Sequence, residues 1–145
     1  NVIVPIGTKI ADVIAFCGGY KKPPKKILMG GPMMGTTVYD IDTPVIKNNN
    51  AVLFFDEKQS AERKTTACIR CGKCIGICPM KLMPARLEKA YDTRNPELLQ
   101  KLSVDLCISC GCCSFICPAK RHLAQKNQLG KVLLKEYQSK GAQKK

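Results

Sequence analysis

The sequence predicts an α+β fold in two consecutive parts, and two observations support this. Residues 1–57 contain short apolar runs broken by glycine, proline and asparagine, which is typical of strands and turns. Residues 58–145 carry apolar residues at helical spacing together with nine of the ten cysteines. We therefore place a domain boundary between residues 57 and 58, inside a charged linker that extends from residue 56 to residue 64.

The first domain, residues 1–57, is predicted to be one helix laid on a small mixed sheet, a β-grasp arrangement. Thr8 is positioned to cap the helix and Gly18 to end it. The apolar face of the helix would be Ile10, Val13, Ile14 and Phe16. The predicted strands are residues 2–4, 27–29, 36–39, 44–46 and 51–55. The turn GGPMMG at residues 30–35 lacks the spacing of a phosphate-binding loop, so we expect a tight glycine turn with core methionines.

The second domain, residues 58–145, is predicted to be all-helical. Pro84 and Pro96 can each occupy the first position of a helix, where the missing N–H group costs no hydrogen bond. The buried faces of these two helices would be Leu87, Ala90 and Tyr91, and Leu98, Leu99 and Leu102. A third helix is expected over residues 119–129, with Gly130 at its end.

Eight cysteines of this domain form two copies of the pattern C-x2-C-x2-C-x3-C-P. The stretches CIRCGKCIGICP and CISCGCCSFICP agree at eight of twelve positions, at an offset of 39 residues. This spacing is that of two-cluster ferredoxins, in which three cysteines hold one [4Fe-4S] cluster and the fourth ligates the other. The sequence therefore predicts crossed ligand sets: cluster I on Cys68, Cys71, Cys74 and Cys117, and cluster II on Cys107, Cys110, Cys113 and Cys78.

Structural zinc and disulfide bonds are the other common uses of clustered cysteines. Zinc sites usually take separated Cys-x2-Cys or Cys/His pairs rather than three evenly spaced thiols before Cys-Pro. Disulfide frameworks belong to secreted chains, and no signal peptide opens this one, so we expect a reducing, cytoplasmic setting. Cys112 could replace Cys110 or Cys113, but only those two keep the register of the first motif. We interpret Cys112 as a packing thiol, Cys17 as a buried apolar residue and His122 as a solvated helix residue.

Net charge divides the chain into a nearly neutral part and a basic part. Residues 1–57 carry a net charge of +1 and residues 58–145 a net charge of +12. Tryptophan is absent and no RNA- or DNA-reading motif is visible, so we expect no nucleic-acid partner, and no apolar run is long enough to span a bilayer. The positive charge favours either general solubility or the docking of an acidic ferredoxin, a flavodoxin-like redox partner or another subunit. A basic tail is formed by Lys135, Lys140, Lys144 and Lys145.

The charge is also uneven between the two cysteine motifs. Arg70 and Lys73 lie in the first motif, where the second has Ser109 and Cys112, and Lys120-Arg121 follows the last ligand of cluster I. Positive charge stabilises a reduced cluster, so we predict the higher potential for cluster I and place it nearer the basic docking face. We expect the apolar residues that flank the ligands to exclude water: Ile69, Ile75, Ile77, Ile108, Phe115 and Ile116.

A family resemblance is carried by the stretches NVIVPIGT, GGPMMGT, CIRCGKCIGICPMKLMP and CISCGCCSFICP. Together they resemble the C-terminal part of the C subunit of Rnf-type electron transport complexes, over essentially the whole chain. The resemblance implies a soluble-ligand-binding β-grasp domain followed by a helical ferredoxin domain with two [4Fe-4S] clusters. It also implies a peripheral subunit on the cytoplasmic face of the inner membrane, with FMN and NADH bound by a preceding domain outside these residues. Since the chain begins at Asn1 without an initiator methionine, we expect it to be a piece of a longer polypeptide.

We therefore predict an electron relay within a membrane-bound, ion-translocating ferredoxin:NAD oxidoreductase. No side chain of this part is assigned a catalytic role, because the chemistry belongs to the cofactors. Two alternatives remain. One is a cobalamin-reductase-like flavo-iron-sulfur protein with the same layout, and the other is an assembly module in which the clusters act as structural staples.

Overall fold

The computed structural model describes residues 1–61 and 64–142 and divides the chain into two compact units, Asn1–Glu62 and Arg63–Lys145. The division falls within the charged segment that was predicted to link the domains, a few residues after position 57. Lys144 and Lys145 of the predicted basic tail lie outside the described residues.

The first unit contains a short helix and a three-stranded antiparallel sheet. The elements are α1 (Ile10–Phe16), β1 (Lys26–Met29), β2 (Thr36–Val38) and β3 (Val52–Phe55). The strand order β2-β1-β3 places β1 at the centre. Leu28 in β1 pairs with Thr37 on one side and Leu53 on the other, and its side chain is buried. The sheet is therefore built from antiparallel pairings on both sides of β1.

Four predicted details of the secondary structure of this unit are wrong. Residues 2–4 form no strand, since their backbone groups find no ladder partner among the described residues. Residues 44–46 contribute only one antiparallel bridge, between Lys9 and Pro44. The described strands contain no parallel pair, so the sheet is antiparallel rather than mixed. Thr8 does not cap α1, because its hydroxyl donates to the carbonyl oxygen of Pro5 at 2.8 Å.

The apolar core of the first unit is small. Its buried apolar residues are Ile10, Leu28 and Val45. Phe16 is 79% exposed and Met34 is 66% exposed, and Cys17 is also exposed, so the predictions of core methionines and of a buried Cys17 are wrong. Three short strands do not offer enough surface to cover these side chains.

The glycine turn of the first unit is tight, as predicted. Gly35 N–H donates to the carbonyl oxygen of Gly31 at 2.7 Å. A Cβ atom on Gly35 would lie 2.6 Å from that same oxygen. Only glycine fits this close approach of two backbone segments.

In the part of the second unit that the structure describes, all of the regular secondary structure is helical. The elements are α2 (Lys73–Gly76), α3 (Pro84–Asp92), α4 (Pro96–Lys101), a 3-10 turn (Val104–Leu106), α5 (Cys112–Ile116) and α6 (Leu123–Ala142). Pro84 and Pro96 begin α3 and α4, which confirms both predicted helix starts. Asn95 caps α4, since its side-chain oxygen accepts the Leu98 N–H at 2.8 Å.

Helix α6 continues through Gly130, so the predicted helix end at this residue is wrong. Gly130 is buried, and a Cβ atom there would lie 3.2 Å from Leu99 Cδ2 and 3.5 Å from Val104 Cγ2. The missing side chain lets α6 approach α4 and the 3-10 turn closely. The close packing of α6 against its neighbours, rather than the end of a helix, explains why a glycine occupies position 130.

The internal repeat is visible in the backbone as well as in the sequence. Three pairs of residues at the 39-residue offset share left-handed backbone: Arg70 and Ser109 (φ 56° and 54°), Gly72 and Gly111 (76° and 80°), and Lys81 and Lys120 (52° and 51°). Each motif enters a short helix, α2 or α5, and is followed by a longer one, α3 or α6. Helix α2 contacts α5 and α3 contacts α6, which brings the two motifs side by side.

Within the described ranges, no helix combines the length and the apolar character needed to cross a bilayer.

Candidate metal centres

The eight predicted ligand cysteines line two cavities in the second unit. Cavity I is lined by Cys68, Cys71, Cys74 and Cys117. Cavity II is lined by Cys78, Cys107, Cys110 and Cys113. Each cavity thus contains three cysteines of one motif and the Cys-Pro cysteine of the other.

The fold explains why the two motifs exchange their last cysteines. Thr66 N–H donates to the carbonyl oxygen of Ala119 at 3.0 Å, so the segment before Cys68 runs beside the segment after Cys117. Cys113 and Cys117 are buried in one apolar cluster with Ala119 and Leu123, and Cys74 packs against it. The two sets of thiols therefore meet at a shared wall.

Cavity II is the more enclosed of the two. Cys113 is buried, and Cys78, Cys107 and Cys110 are half-buried. The pKa of the Cys113 thiol is raised to about 11. Burial is the main cause, the neighbouring Cys107 and Cys110 add to the rise, and backbone hydrogen bonds oppose it. Leu82 N–H donates to Cys78 Sγ at 3.4 Å, a contact that suits a thiolate ligand.

Cavity I is more open to solvent. Cys68 and Cys71 are exposed, Cys74 is half-buried and Cys117 is buried. Burial is the main cause that raises the pKa of Cys74, and the nearby Cys68 and Cys117 add to it, whereas a backbone hydrogen bond from Ala85 lowers it. Metal binding requires the thiolate form, so a bound metal would replace the thiol protons in both cavities.

The apolar residues that flank the ligands do not exclude water as predicted. Ile69, Ile75, Ile77, Ile108 and Phe115 are between 44% and 72% exposed, and Ile116 is half-buried. Ile69 and Ile75 line cavity I and Ile108 lines cavity II, but each sits at the mouth of its cavity, where much of the side chain stays in contact with solvent.

The remaining candidate residues lie outside the two sets of four thiols. Cys112 is half-buried and lines neither cavity, and its hydrogen bond with Cys110 is the main cause that raises its pKa. His122 is exposed, as predicted, and lies just before α6, where its carbonyl oxygen accepts the Lys126 N–H at 3.0 Å.

The sequence analysis missed a buried ion-pair cluster beside cavity I. Glu88 is only 3% exposed, and its carboxylate lies 2.6 Å from Arg121 Nε and 3.4 Å from Lys126 Nζ. Arg121 lines cavity I, and its Nη1 also donates to the carbonyl oxygen of Thr66 at 3.2 Å. The bond to Glu88 raises the pKa of the Arg121 guanidinium. One sequence signal could have indicated this buried carboxylate: Glu88 directly follows the predicted core residue Leu87 in α3.

The donor sets fit [4Fe-4S] clusters. Four thiols face each cavity, and thiolates are the soft ligands that iron-sulfur clusters take. Among the residues that the structure describes, no three His, Cys, Asp or Glu side chains are grouped closely enough for a single metal ion. A cubane carries one iron at each of four corners, so it requires thiols that stand farther apart than those around one ion.

Comparison with known proteins adds two family matches. Residues 1–37 match the SLBB domain, and residues 60–118 match a 4Fe-4S dicluster domain. The second match spans both cysteine motifs.

Three curated relatives are similar to this chain. The C subunit of the proton-translocating ferredoxin:NAD(+) oxidoreductase complex of Clostridium ljungdahlii is 44% identical over 87 residues, 60% of this chain and 19% of the relative. The C subunit of the ion-translocating oxidoreductase complex of Rhodobacter capsulatus is 42% identical over 87 residues, 60% of this chain and 17% of the relative. Its counterpart of the same description from Methanosarcina acetivorans is 41% identical over 92 residues, 63% of this chain and 21% of the relative.

The chain spans about a fifth of the length of these relatives. Together, the domain matches and the relatives show that the chain carries a 4Fe-4S dicluster domain and is homologous to part of the C subunit of Rnf-type, ion-translocating oxidoreductase complexes.

Proposed function

We propose that this chain relays electrons through two [4Fe-4S] clusters, each held by three cysteines of one motif and the last cysteine of the other. The observation that carries the proposal is the lining of the cavities: Cys117 faces cavity I and Cys78 faces cavity II. A simple pairing of each motif with its own cavity would place these two cysteines the other way round.

The clusters, once bound, supply reversible one-electron transfer. The protein contributes the positions of the thiols and the hydrogen bond from Leu82 N–H to Cys78 Sγ. The common apolar wall of Cys74, Cys113 and Cys117 brings the two ligand sets together. No proton donor or nucleophile is required for such a relay, so no catalytic residue is assigned.

We further propose the setting in which the relay operates. The chain would be part of a peripheral subunit on the cytoplasmic face of the membrane, in a ferredoxin:NAD oxidoreductase complex, and would exchange electrons with FMN and NADH in a preceding domain. The names of the relatives support the complex. The first domain would be of the β-grasp type, which the helix, the antiparallel sheet and the SLBB match support. Residues 1–57 and 58–145 remain our proposed domains.

Anaerobic reconstitution followed by iron and acid-labile sulfide analysis tests the relay. We expect about eight iron and eight sulfide per chain, because two cubanes contain four of each. EPR of the dithionite-reduced protein should show two spin-coupled clusters. A stoichiometric zinc content, or a single uncoupled cluster, would contradict the proposal. Without its preceding domain, the chain should not reduce a dye from NADH after incubation with FMN.

A further inference from the structure

We propose that Lys131 in α6 raises the potential of cluster II, because it holds a positive charge on the backbone of the ligand Cys107. The inference rests on the proposed function, since this potential exists only if the second motif carries a cluster. It does not depend on the exchange of Cys78 and Cys117 between the motifs. Cys107 is a ligand of the cluster on the second motif under either pairing.

Lys131 contacts the backbone of a ligand residue. Its Nζ donates to the carbonyl oxygen of Cys107 at 2.9 Å, and the side chain is half-buried there. Helix α6 also packs on the 3-10 turn that ends at Leu106, directly before Cys107. The ammonium group is therefore held at the start of the second motif.

Among the residues that the structure describes, no carboxylate pairs with this ammonium group. The ion pairs of the described ranges involve the cations Lys9, Arg121 and Lys126. Asn127, one turn earlier in α6, lines cavity II and is only 1% exposed, and its side chain is neutral. The part of α6 beside the second motif thus carries an uncharged amide and an unpaired cation.

The internal repeat provides a contrast at the same two positions. At the 39-residue offset, Glu88 in α3 corresponds to Asn127 in α6. Asp92 corresponds to Lys131 in the same way. Both acids lie close to Lys126 Nζ, at 3.4 Å and 2.7 Å. Helix α3 therefore has two acids where α6 has an amide and a cation, so the charge beside Cys107 belongs to the second half of the repeat alone.

A cation at this position favours the reduced form of cluster II. Reduction adds one electron from a redox partner, or from dithionite in the test, and makes the cluster more negative by one charge. A half-buried charge acts through less water than the exposed charges of Arg70 and Lys73, so solvent and salt screen it less. Lys131 should therefore narrow the difference in potential between the clusters.

Potentiometric EPR of the reconstituted chain tests this role of Lys131. In Lys131→Met the potential of cluster II should become more negative, and the ratio of reduced to oxidised cluster II at a fixed potential should fall several-fold. The potential of cluster I should stay constant. Lys131→Arg keeps the charge and should keep the parent potential. Lys135→Met is the matched control, since it removes an exposed cation one turn farther along α6.

Two further variants make the test decisive. Cys107→Ala should remove the signal of cluster II, which assigns the remaining signal to cluster I. Lys131→Gln has no charge but keeps a hydrogen-bond donor for the carbonyl oxygen of Cys107. It should show the same fall in potential as Lys131→Met, and it supplies the uncharged comparison if Lys131→Met does not take up cluster II.

Several outcomes would overturn this role. Equal shifts of both clusters, or the same shift in Lys135→Met, would mean that only net charge matters. An unchanged potential in Lys131→Met would mean that the ammonium group does not act on cluster II. The parent potential in Lys131→Gln would mean that the hydrogen bond acts and the charge does not. Iron and sulfide analysis separates these results from a failure of the relay itself, since a parent chain without two clusters fails before any variant is compared.

Discussion

Arg121 Nε lies 2.6 Å from Glu88 Oε2, and this pair joins the segment after Cys117 to helix α3. The same guanidinium donates to the carbonyl oxygen of Thr66, two residues before Cys68. The ion pair therefore ties together the first and the last ligand segments of cavity I. The pair also offsets the charge of Arg121. Arg70 and Arg86, which line the same cavity, form no ion pair with a carboxylate among the described residues.

Replacing Arg121 should destabilise the second unit. In Arg121→Met the carboxylate of Glu88 stays buried with only Lys126 at 3.4 Å to compensate it. Loss of one partner of a buried ion pair costs about 3 kcal/mol, so we expect the unfolding temperature of the reconstituted protein to fall by more than about 10 °C. Circular dichroism under anaerobic conditions measures this.

Two controls identify the buried charge as the cause of that loss. Lys89→Met removes an exposed cation from α3 and should leave the unfolding temperature unchanged. Glu88→Leu with Arg121→Met should be more stable than Arg121→Met alone, because no uncompensated carboxylate remains buried. If the double variant is the less stable one, the ion pair itself supplies the stability.

Single cysteine substitutions should reveal the crossed ligand sets. Cys78→Ala is expected to remove cluster II and to leave cluster I, because Cys78 lines the cavity of the second motif. Cys117→Ala is expected to do the reverse. Iron analysis and EPR of each variant identify the surviving cluster, and Cys112→Ala, whose side chain lines neither cavity, should keep both. Loss of cluster I in Cys78→Ala would show that each motif uses its own four cysteines.

The charges of the first motif should set the difference in potential between the clusters. In Arg70→Ala with Lys73→Ala, the reduced form of cluster I loses two nearby cations, so its midpoint potential should fall while that of cluster II stays constant. Potentiometric EPR measures both values. Lys101→Ala, an exposed cation on α4, is the matched control. Equal shifts of the two clusters, or none, would contradict this prediction.

A side chain at Gly72 should destabilise the protein because of the backbone conformation there. The φ angle of Gly72 is +76°, in the left-handed region, and a Cβ atom at this position would have no atom within 4 Å. Gly72→Ala should therefore cost only the penalty for a left-handed backbone, about 1–2 kcal/mol. Gly76 in α2 also has free space, without a positive φ, and Gly76→Ala should therefore be neutral or slightly stabilising. Thermal unfolding of the two variants compares them, and equal stabilities would rule out backbone strain as the reason for Gly72.

Gly130 should tolerate no side chain because of packing. A valine at this position would clash with Leu99 and Val104, because a Cβ atom there would lie only 3.2 Å from Leu99 Cδ2 and 3.5 Å from Val104 Cγ2. Overpacking of this kind costs about 1–3 kcal/mol. Gly141 in the same helix has nothing within 4 Å, so Gly141→Val is the control and should change the unfolding temperature little. A Gly130→Val protein as stable as its control would show that α6 can shift away from α4.

The correct sequence predictions rest on local chemistry. Pro84 and Pro96 begin helices because a proline suits the first helical position whatever packs around it. Leu87, Ala90 and Leu99 are buried, as helical spacing predicted. The resemblance to the C subunit of Rnf-type complexes and the prediction of 4Fe-4S clusters are borne out by the relatives and the dicluster match. The assignment of individual cysteines to each cluster stays a prediction.

The errors occur where distant residues decide the outcome. Gly130 looked like a helix end, but its neighbours Leu99 and Val104 come from another part of the chain. Cys17 and Met34 are apolar enough for a core, yet the small sheet leaves them exposed. Local composition does not reveal how much surface the rest of a fold provides to cover a side chain.

The sequence by itself determined the number and spacing of the cysteines in the two motifs, the helix starts at proline and the charge difference between the motifs, because these depend on residue type and on spacing along the chain. Only the tertiary structure decided how Glu88 engages Arg121, why a glycine stands at position 130 inside α6, and which apolar residues stay at the surface. These features depend on contacts between residues far apart in the sequence, such as Thr66 with Ala119 and Glu88 with Arg121. Such contacts form only when the helices pack together.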